Sequence, residues 1–347
     1  MAGRVGERTP RIGGRLLTPT DLWVATWVTA SIVNGGIFLA SRQVDQPSPV
    51  AGSVAVLLQL AATAALLYWL GRIPTETLTA APVTRRGALA VAIGLVILAL
   101  FPVGAAGLLV LVPVGVAAAV VLLVLRPSMS GREIGWAAAL GGLAAGGGLL
   151  GWLASGHSRD LGIALAQLPL VLLTLLAGWG LARRVGWHQA QIGPSVYPSQ
   201  GVKSALREIG FGFVVAAPWA LGNIAAGPFE QDDFRAGWQV LTALHPGVAE
   251  EAWARVFVIA LLYWVFRRYA RARTAVLIAA LLGTYWFAFL HAPSNPVIVV
   301  LLGTIQVLPM TFLWLRRSLE AAIGFHVCVD LVRFLAAYLA FQGVWFI

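Results

Sequence analysis

Residues 161–182 read LGIALAQLPLVLLTLLAGWGLA and contain no charged side chain. A helix needs about 20 mostly apolar residues to cross the hydrocarbon core of a bilayer, so this stretch predicts a membrane-spanning helix. Charged residues bracket it, with Asp160 before it and Arg183 after it. Working outward in both directions predicts eleven spans in all, at residues 22–41, 51–71, 88–104, 108–125, 136–154, 161–182, 209–227, 247–266, 274–291, 296–315 and 319–345.

The composition of the whole chain agrees with a lipid-embedded protein. Hydrophobic residues make up 59% of the 347 residues and charged residues 11%, and the mean hydropathy is +0.83. A soluble domain has about 45–50% apolar and about 25% charged residues, so the soluble class is excluded. The disordered class is excluded too, because it requires low hydrophobicity and high charge. We predict an all-α, polytopic membrane bundle of about 11 transmembrane helices, located in the bacterial cytoplasmic membrane.

The basic residues predict the orientation of this bundle. The net charge is +10, and 23 of the 24 basic residues are Arg, spread over short loops between the apolar stretches. With the N-terminus inside, 19 of the 24 fall on the inner side, and three fall on the outer side. Such a bias is the signal that orients membrane proteins, and it differs from a nucleic-acid-binding patch. We therefore expect an inner N-terminus, contact with the lipid bilayer and no nucleic-acid partner.

Ionisable residues are rare in the first seven spans and cluster in the last 100 residues. Inside a span such residues are costly and are therefore functional candidates. This contrast predicts a basic leader at residues 1–21, a seven-helix scaffold at 22–227 and a catalytic four-helix domain at 245–347. The clustered residues are Glu250, Glu251, Arg255, His291, His326, Asp330 and Arg333.

The two adjacent glutamates differ in their predicted partners. On a helix, Glu251 and Arg255 are four residues apart and share a face, so they can form a buried ion pair. Glu250 points about 100° away from Glu251 and lacks such a partner, which suits a general base. The alternative is that both acids simply lie at a helix N-terminus, where negative charge is favoured.

Two histidine motifs follow. His291 ends the ninth predicted span, with Phe287 one turn earlier on the same face; His326 and Asp330 are also four residues apart on one face. Considered alone, His291 is explained as a histidine at the membrane interface, and His326 and Asp330 as a hydrogen-bonded pair that locks two helices. Taken with Glu250, they can activate a water molecule and stabilise an oxyanion. They can alternatively hold a divalent metal such as zinc, with Glu250, His291 and His326 as ligands.

In chain order, the motifs Glu-Glu-x-x-x-Arg, Phe-x-x-x-His and His-x-x-x-Asp resemble the CPBP family. These are intramembrane proteases related to CAAX prenyl endopeptidases and bacteriocin-processing enzymes. The resemblance covers residues 245–335 and implies an endopeptidase that hydrolyses a peptide bond in a membrane-associated peptide or protein tail. It implies that Glu250 and His291 activate water and that Glu251 and Arg255 fill the second acidic and the basic position. It also implies that His326 and Asp330 form the oxyanion or metal side, in a metalloprotease or a metal-free glutamate mechanism.

One position departs from the family pattern, which often has Asn where this chain has Asp330. An ionised Asp only accepts hydrogen bonds, so Asp330 must be protonated, bind a metal or orient His326, and Arg333 can pair with it. This departure motivates a second hypothesis, a catalytically silent membrane scaffold or regulator. A third is a proton-coupled transporter, because buried Glu and His also serve proton relays.

The membrane depth of the motifs raises a conflict. Glu250 lies 17 residues from Arg267, and His326 lies 9 residues from Arg317. At about 1.5 Å per residue, straight parallel helices would leave Glu250 and His326 about 11 Å apart in depth. We therefore expect tilt, or a helix start near Ser318 that lies within the membrane.

Overall fold

The computed structural model describes residues 11–12, 15–16, 18–41, 49–71, 108–184, 201–226, 234–270, 272–292 and 295–343. The predicted span 88–104 and most of the predicted leader lie outside these residues. A short antiparallel pair, β1 (Arg11–Ile12) and β2 (Arg15–Leu16), precedes the helices. The described part of the chain is otherwise helical, as predicted.

The first seven helices of the described residues follow the apolar stretches of the sequence, except for the charged start of α6. Helix α4 begins at a capping box, in which the Ser130 side chain accepts from the Glu133 backbone and Glu133 accepts from the Ser130 backbone. It ends at Gly156, whose φ of 70° is left-handed and favours glycine. The seven helices are α1 (Pro19–Ser41), α2 (Pro49–Gly71), α3 (Leu108–Leu125), α4 (Gly131–Ser155), α5 (Ser158–Arg184), α6 (Gly201–Val215) and α7 (Ala217–Ala226).

The second half of the chain contains two helical stretches that change type along their length. The first begins as a 3₁₀ helix and passes through a π-helical segment, here called the first π segment. The second contains a shorter second π segment. In chain order the elements are the 3₁₀ helix Gly237–Ala243, α8 (Leu244–Glu250), the first π segment (Glu251–Ile259), α9 (Ala260–Phe266), α10 (Ala272–His291), α11 (Pro296–Leu302), the second π segment (Gly303–Val307), α12 (Leu308–Arg316) and α13 (Leu319–Phe341).

The predicted number of spans is wrong. Among the described residues, six helices are long and apolar enough to cross a membrane, or seven if one bent pair counts as a single span. These six support an integral multi-pass membrane protein, and each coincides with a predicted span. They are Val50–Leu70, Gly131–Ser155, Asp160–Arg184, Thr274–His291, Pro296–Arg316 and Leu319–Phe341.

The other predicted spans within the described residues differ from these six in different ways. Helices α6 and α7, predicted as the span 209–227, are bent by 41° where they join. The predicted span 247–266 is divided among α8, the first π segment and α9, and the π segment is buried throughout. This stretch contains Glu250, Glu251 and Arg255, which is more charge than the candidate spans carry. Helix α3 coincides with the predicted span 108–125, and its residues 112–125 form an apolar helix. The predicted span 22–41 is not among the candidate spans of the described residues.

Helix α13 lies between two hydrophobic cores. Leu319 and Ile323 belong to a core formed with α3, α4, α5, α10 and the first π segment. Phe325 and Val329 belong to a second core formed with α1, α2, α7 and α12. Because its two faces are packed against different groups of helices, α13 is held firmly on both sides.

Two glycines let α6 approach α13 at backbone distance. A Cβ atom on Gly212 of α6 would collide with the carbonyl of Ala321 on α13, and one on Gly324 of α13 would collide with the carbonyl of Ile209 on α6. Small residues are typical of close helix crossings in membranes. The crossing lies next to His326 and so fixes the position of that residue.

Hydrogen bonds also connect the early helices to the second π segment. Gln306 Nε2 donates to Asn223 Oδ1 of α7 at 2.6 Å. Thr63 of α2 donates to the carbonyl of Ile305 at 3.3 Å and accepts from Trp219 Nε1 at 3.2 Å. The scaffold predicted from the sequence is therefore joined to the later helices by polar contacts as well as by apolar packing.

Candidate active site

The candidate site is built where the chain changes helix type. Glu250 ends α8 and Glu251 begins the first π segment, while His291 is the last residue of α10. His326 and Asp330 lie one turn apart on α13. Short π segments inside helices occur frequently at functional sites, and this one begins at Glu251, directly after Glu250.

The His326 ring is the centre of the cluster. Its Nδ1 atom lies 2.9 Å from Glu251 Oε1, in a hydrogen bond. Its Nε2 atom lies 3.8 Å from Glu250 Oε2 and 3.5 Å from Asp330 Oδ2. Three carboxylates therefore surround one imidazole, an arrangement that balances positive charge on the ring.

The predicted separation of about 11 Å between Glu250 and His326 is not found, because His326 Nε2 lies 3.8 Å from Glu250 Oε2. Arg317, which precedes α13, donates to Glu208 of α6 at 2.6 Å. The following residue, Ser318, caps α13 and is only 1% exposed. Helix α13 therefore begins at a buried position beside α6.

His291 joins the cluster through Glu250. Its Nε2 atom lies 3.9 Å from Glu250 Oε2. Its Nδ1 atom lies 2.9 Å from the backbone carbonyl of Phe287. Because a carbonyl only accepts hydrogen bonds, we assign the proton of a neutral ring to Nδ1, which leaves Nε2 as an acceptor facing Glu250.

Arg255 and Phe287 lie behind these groups. Arg255 Nε is 3.3 Å from Glu251 Oε2, and both side chains are essentially buried. The contact lacks hydrogen-bond geometry, so it is an ion pair by distance. The guanidinium lies 4.3 Å from the centroid of the Phe287 ring, whose centroid is 4.5 Å from that of His291. Phe287 therefore links the buried pair to the His291 ring.

Sequence reasoning anticipated some of these contacts and missed others. The spacing predicted the Glu251–Arg255 pair and the packing of Phe287 on His291, and both contacts are present. It did not predict that Glu251 also binds His326, or that Phe287 contacts Arg255. The two residues of each missed contact lie on different elements, so helical spacing carries no signal for either.

Exposure increases across the site in one direction. The side chain of Glu251 is 0% exposed and that of His326 is 9% exposed. The exposed fraction is 19% for Asp330, 23% for Glu250 and 43% for His291. The site is therefore open on the side of Glu250 and His291 and closed behind Glu251.

His245, at the start of α8, borders the site but makes no hydrogen bond or ion pair within the described ranges. A Cβ atom on Gly147 of α4 would lie 2.6 Å from the His245 backbone nitrogen, so α4 packs directly on this turn. Burial lowers the pKa of His245, and the charge of Glu250 partly opposes that effect. His245 is therefore close enough to Glu250 to share its electrostatic field.

A metal centre would require a defined set of ligands from this cluster. Zinc binds His and carboxylate ligands at about 2.0–2.2 Å, usually with three or four protein ligands. Within the part of the chain that the structure describes, no group of three or more His, Cys, Asp or Glu side chains is arranged to hold a metal ion. Nδ1 of His326 is bonded to Glu251, which leaves Nε2 as the only nitrogen of this ring that could bind a metal. The described residues are therefore not arranged as a metal site.

Comparison with known proteins agrees with the resemblance of the motifs. A family model described as "Type II CAAX prenyl endopeptidase Rce1-like" matches residues 233–332, just under a third of the chain. The match includes all three motifs and the site residues described above. No curated protein and no solved structure matches the chain. The chain therefore contains, at residues 233–332, a Rce1-like type II CAAX prenyl endopeptidase domain of the CPBP family.

Proposed function

We propose that the protein is an intramembrane endopeptidase that hydrolyses a peptide bond in a membrane-associated peptide or protein tail. The observation that carries this proposal is the position of the Glu250 carboxylate between two imidazoles. Its Oε2 atom is 3.9 Å from His291 Nε2 and 3.8 Å from His326 Nε2. Both distances are too long for a direct hydrogen bond and short enough for one water molecule to contact both groups.

Glu250 and His291 are suited to activating that water. Both present acceptors, the carboxylate oxygen and the unprotonated Nε2, so one water can donate one hydrogen bond to each. Its lone pair is then free to attack the carbonyl carbon of a peptide bond. Glu250 takes the proton as general base and returns it to the leaving amide nitrogen.

His326 is suited to stabilising the oxyanion that this attack creates. Glu251 holds the ring by accepting from Nδ1 at 2.9 Å, and a protonated ring also donates from Nε2 on the Glu250 side. In other acyl-transfer enzymes, a preorganised donor of this kind lowers the activation barrier by about 2.7–4 kcal/mol. Asp330, 3.5 Å from Nε2, then orients and balances His326 instead of donating to the oxyanion itself.

The orientation of the chain, its location and its division into two parts belong to the same proposal. The basic residues favour an inner N-terminus, and the bacterial cytoplasmic membrane remains our assignment for the location. We also propose that the helices of residues 22–227 form a scaffold for the catalytic part at residues 245–347. The close packing of α6 on α13 favours this division.

Comparative proteomics of membrane peptides tests the activity and identifies the substrate in one experiment. Cells expressing the wild-type protein should show cleaved termini that are missing with Glu250→Gln or His291→Ala. His157→Ala is a matched control, because His157 is exposed and lies outside the site. The purified protein should cleave the identified peptides in detergent. Undiminished cleavage in both site variants would refute the assignment, and a phenotype unaffected by Glu250→Gln would favour the catalytically silent scaffold.

A further inference from the structure

Gln306 and Asn223 form a polar pair that the proposed catalytic steps do not use. Gln306 lies in the second π segment, inside the candidate span Pro296–Arg316, and Asn223 lies in α7. Gln306 Nε2 donates to Asn223 Oδ1 at 2.6 Å. Both side chains are half-buried, and neither makes a further hydrogen bond within the described residues. Among those residues the acceptor Gln306 Oε1 and the donor Asn223 Nδ2 therefore have no partner.

The unused groups of this pair match the main chain of a peptide. Inside a membrane such groups are costly, because lipid offers them no hydrogen bonds. If both amides are turned over, the pair still leaves one donor and one acceptor. In an extended chain, the N–H and C=O of one residue point to the same side and exchange two hydrogen bonds with a neighbour. A donor and an acceptor held together are therefore suited to binding one residue of an extended peptide.

The second π segment is joined to the catalytic cluster through α10. The hydroxyl oxygen of Tyr285 on α10 lies 2.9 Å from that of Thr304, in a hydrogen bond. A Cβ atom on Gly303 would collide with the Tyr285 ring, so the two elements pack directly. Helix α10 then ends at His291, whose Nε2 atom lies 3.9 Å from Glu250 Oε2. The element that carries Gln306 is therefore packed against the helix that carries His291.

Asn223 lies at the level of Asp330. The ring centroids of Trp219 on α7 and Phe325 on α13 are 5.0 Å apart. Further along both helices, a small core contains Ile224, Ala225 and Ala336. Helices α7 and α13 therefore lie side by side and run in the same direction. Asn223 on one helix and Asp330 on the other both lie between these two contacts.

These contacts close a ring that includes the three most exposed members of the site. It runs from Glu250 through α10, the second π segment, α7 and α13, and returns to Glu250 through His326. The Gln306–Asn223 pair is the link farthest from Glu250 in the order of contacts. We infer that this pair binds the main-chain N–H and C=O of one substrate residue away from the scissile bond, and so holds the substrate extended across the site. This inference rests on the proposed endopeptidase function, and recognition at this point does not depend on the side chain of the substrate.

A binding experiment without turnover tests the inference. The probe is the octapeptide most strongly retained, from a random N-acylated library, by the full-length Glu250→Gln protein in phosphatidylcholine nanodiscs. It is resynthesised with an ester in place of each amide in turn, because an ester lacks the N–H donor and keeps the carbonyl. Retention is measured by mass spectrometry. We expect the ester at one bond to lower retention about tenfold, as for the loss of one hydrogen bond. Protein with Glu250 intact should cleave a different bond of the same peptide.

Variants of the pair assign this loss. Adding Gln306→Met removes the acceptor, so the same ester should no longer lower retention relative to the amide peptide. Gln167→Met is the matched control, because Gln167 is a buried amide of α5, outside the ring, whose polar atoms have no partner among the described residues. If Gln306→Met does not fold, Asn223→Leu decides, because it removes the donor and the oxygen that holds Gln306. A smaller ester effect in that variant supports the inference, and an unchanged effect overturns it.

Five results overturn the inference: no retained octapeptide, no ester that lowers retention, an ester effect that persists in Gln306→Met, one that is equally lost in Gln167→Met, or one confined to the cleaved bond. The proposed function fails separately. Protein with Glu250 intact that binds the peptide with the Gln306-dependent ester effect, and does not cleave it, would refute the protease and leave main-chain binding standing. Cleavage without any such ester effect would refute only the role of the amide pair.

Discussion

The two adjacent glutamates can be distinguished by measuring stability and activity in the same variants. Glu251 is completely buried, lies 3.3 Å from Arg255 Nε and binds His326 at 2.9 Å. Breaking a buried ion pair by removing one partner costs about 3–5 kcal/mol. Glu251→Ala leaves Arg255 without its counter-charge and His326 without its hydrogen-bond acceptor, so its cost should reach the upper part of that range. Arg255→Ala should cost less, because Glu251 keeps its bond to His326.

Glu250 should behave in the opposite way. Its side chain is 23% exposed, and its two ion-pair contacts, at 3.8 and 3.9 Å, are longer than hydrogen bonds. Glu250→Ala should therefore leave the free energy of unfolding nearly unchanged while abolishing cleavage. The double variant Glu251→Ala/Arg255→Ala should be more stable than the sum of the single losses predicts, since it leaves no orphan charge at the ion pair.

The assay is a melting curve in detergent for wild type, the three single variants and the double variant, beside cleavage of one peptide. Glu250→Gln is a useful addition because it keeps the shape of the side chain. The reasoning is refuted if Glu250→Ala melts several degrees early while Glu251→Ala stays stable and inactive. In that case the base is Glu251 and the structural acid is Glu250.

Three further predictions follow from the packing and from the donor geometry. Cleavage should survive prolonged dialysis against EDTA, because the described residues are not arranged to hold a metal ion; a loss of activity that added zinc restores would contradict this reasoning. Gly212→Ala should lower the melting temperature and the activity, because the new methyl group collides with a carbonyl of α13; Gly210→Ala on the same helix meets no atom within 4 Å and should be neutral, and equal effects would count against this crossing. Phe287→Ala should cost about 3–5 kcal/mol and slow turnover by releasing the His291 ring, with the less buried Phe289→Ala as control; full activity in Phe287→Ala would show that the ring does not position His291.

The sequence by itself determined that the fold is built from apolar helices. Long apolar stretches such as 161–182 predict helices because an unpaired backbone in lipid is too costly, and six of the predicted spans meet the test for length and hydropathy. The count of eleven was wrong because an apolar stretch does not fix how straight a helix is or how much charge it carries. Helices α6 and α7 are bent by 41° where they join, and residues 247–266 contain Glu250, Glu251 and Arg255.

The sequence also predicted which ionisable side chains lie together. An ionisable residue inside an apolar stretch is detectable from the sequence alone, and helical spacing predicted the contacts between Glu251 and Arg255 and between Phe287 and His291. Spacing acts only within one helix. It therefore had no means of predicting that Glu251 binds His326, 75 residues later in the chain.

The tertiary structure alone decided how the helices are placed relative to one another. The crossing of α6 on α13 depends on two glycines that are distant in sequence, and the packing of α13 places His326 Nε2 3.8 Å from Glu250 Oε2. The physical reason is that hydrophobicity and helical periodicity are local properties of the chain. The depth and the distance of two helices follow instead from which surfaces can approach closely, and that is settled only when both surfaces are present.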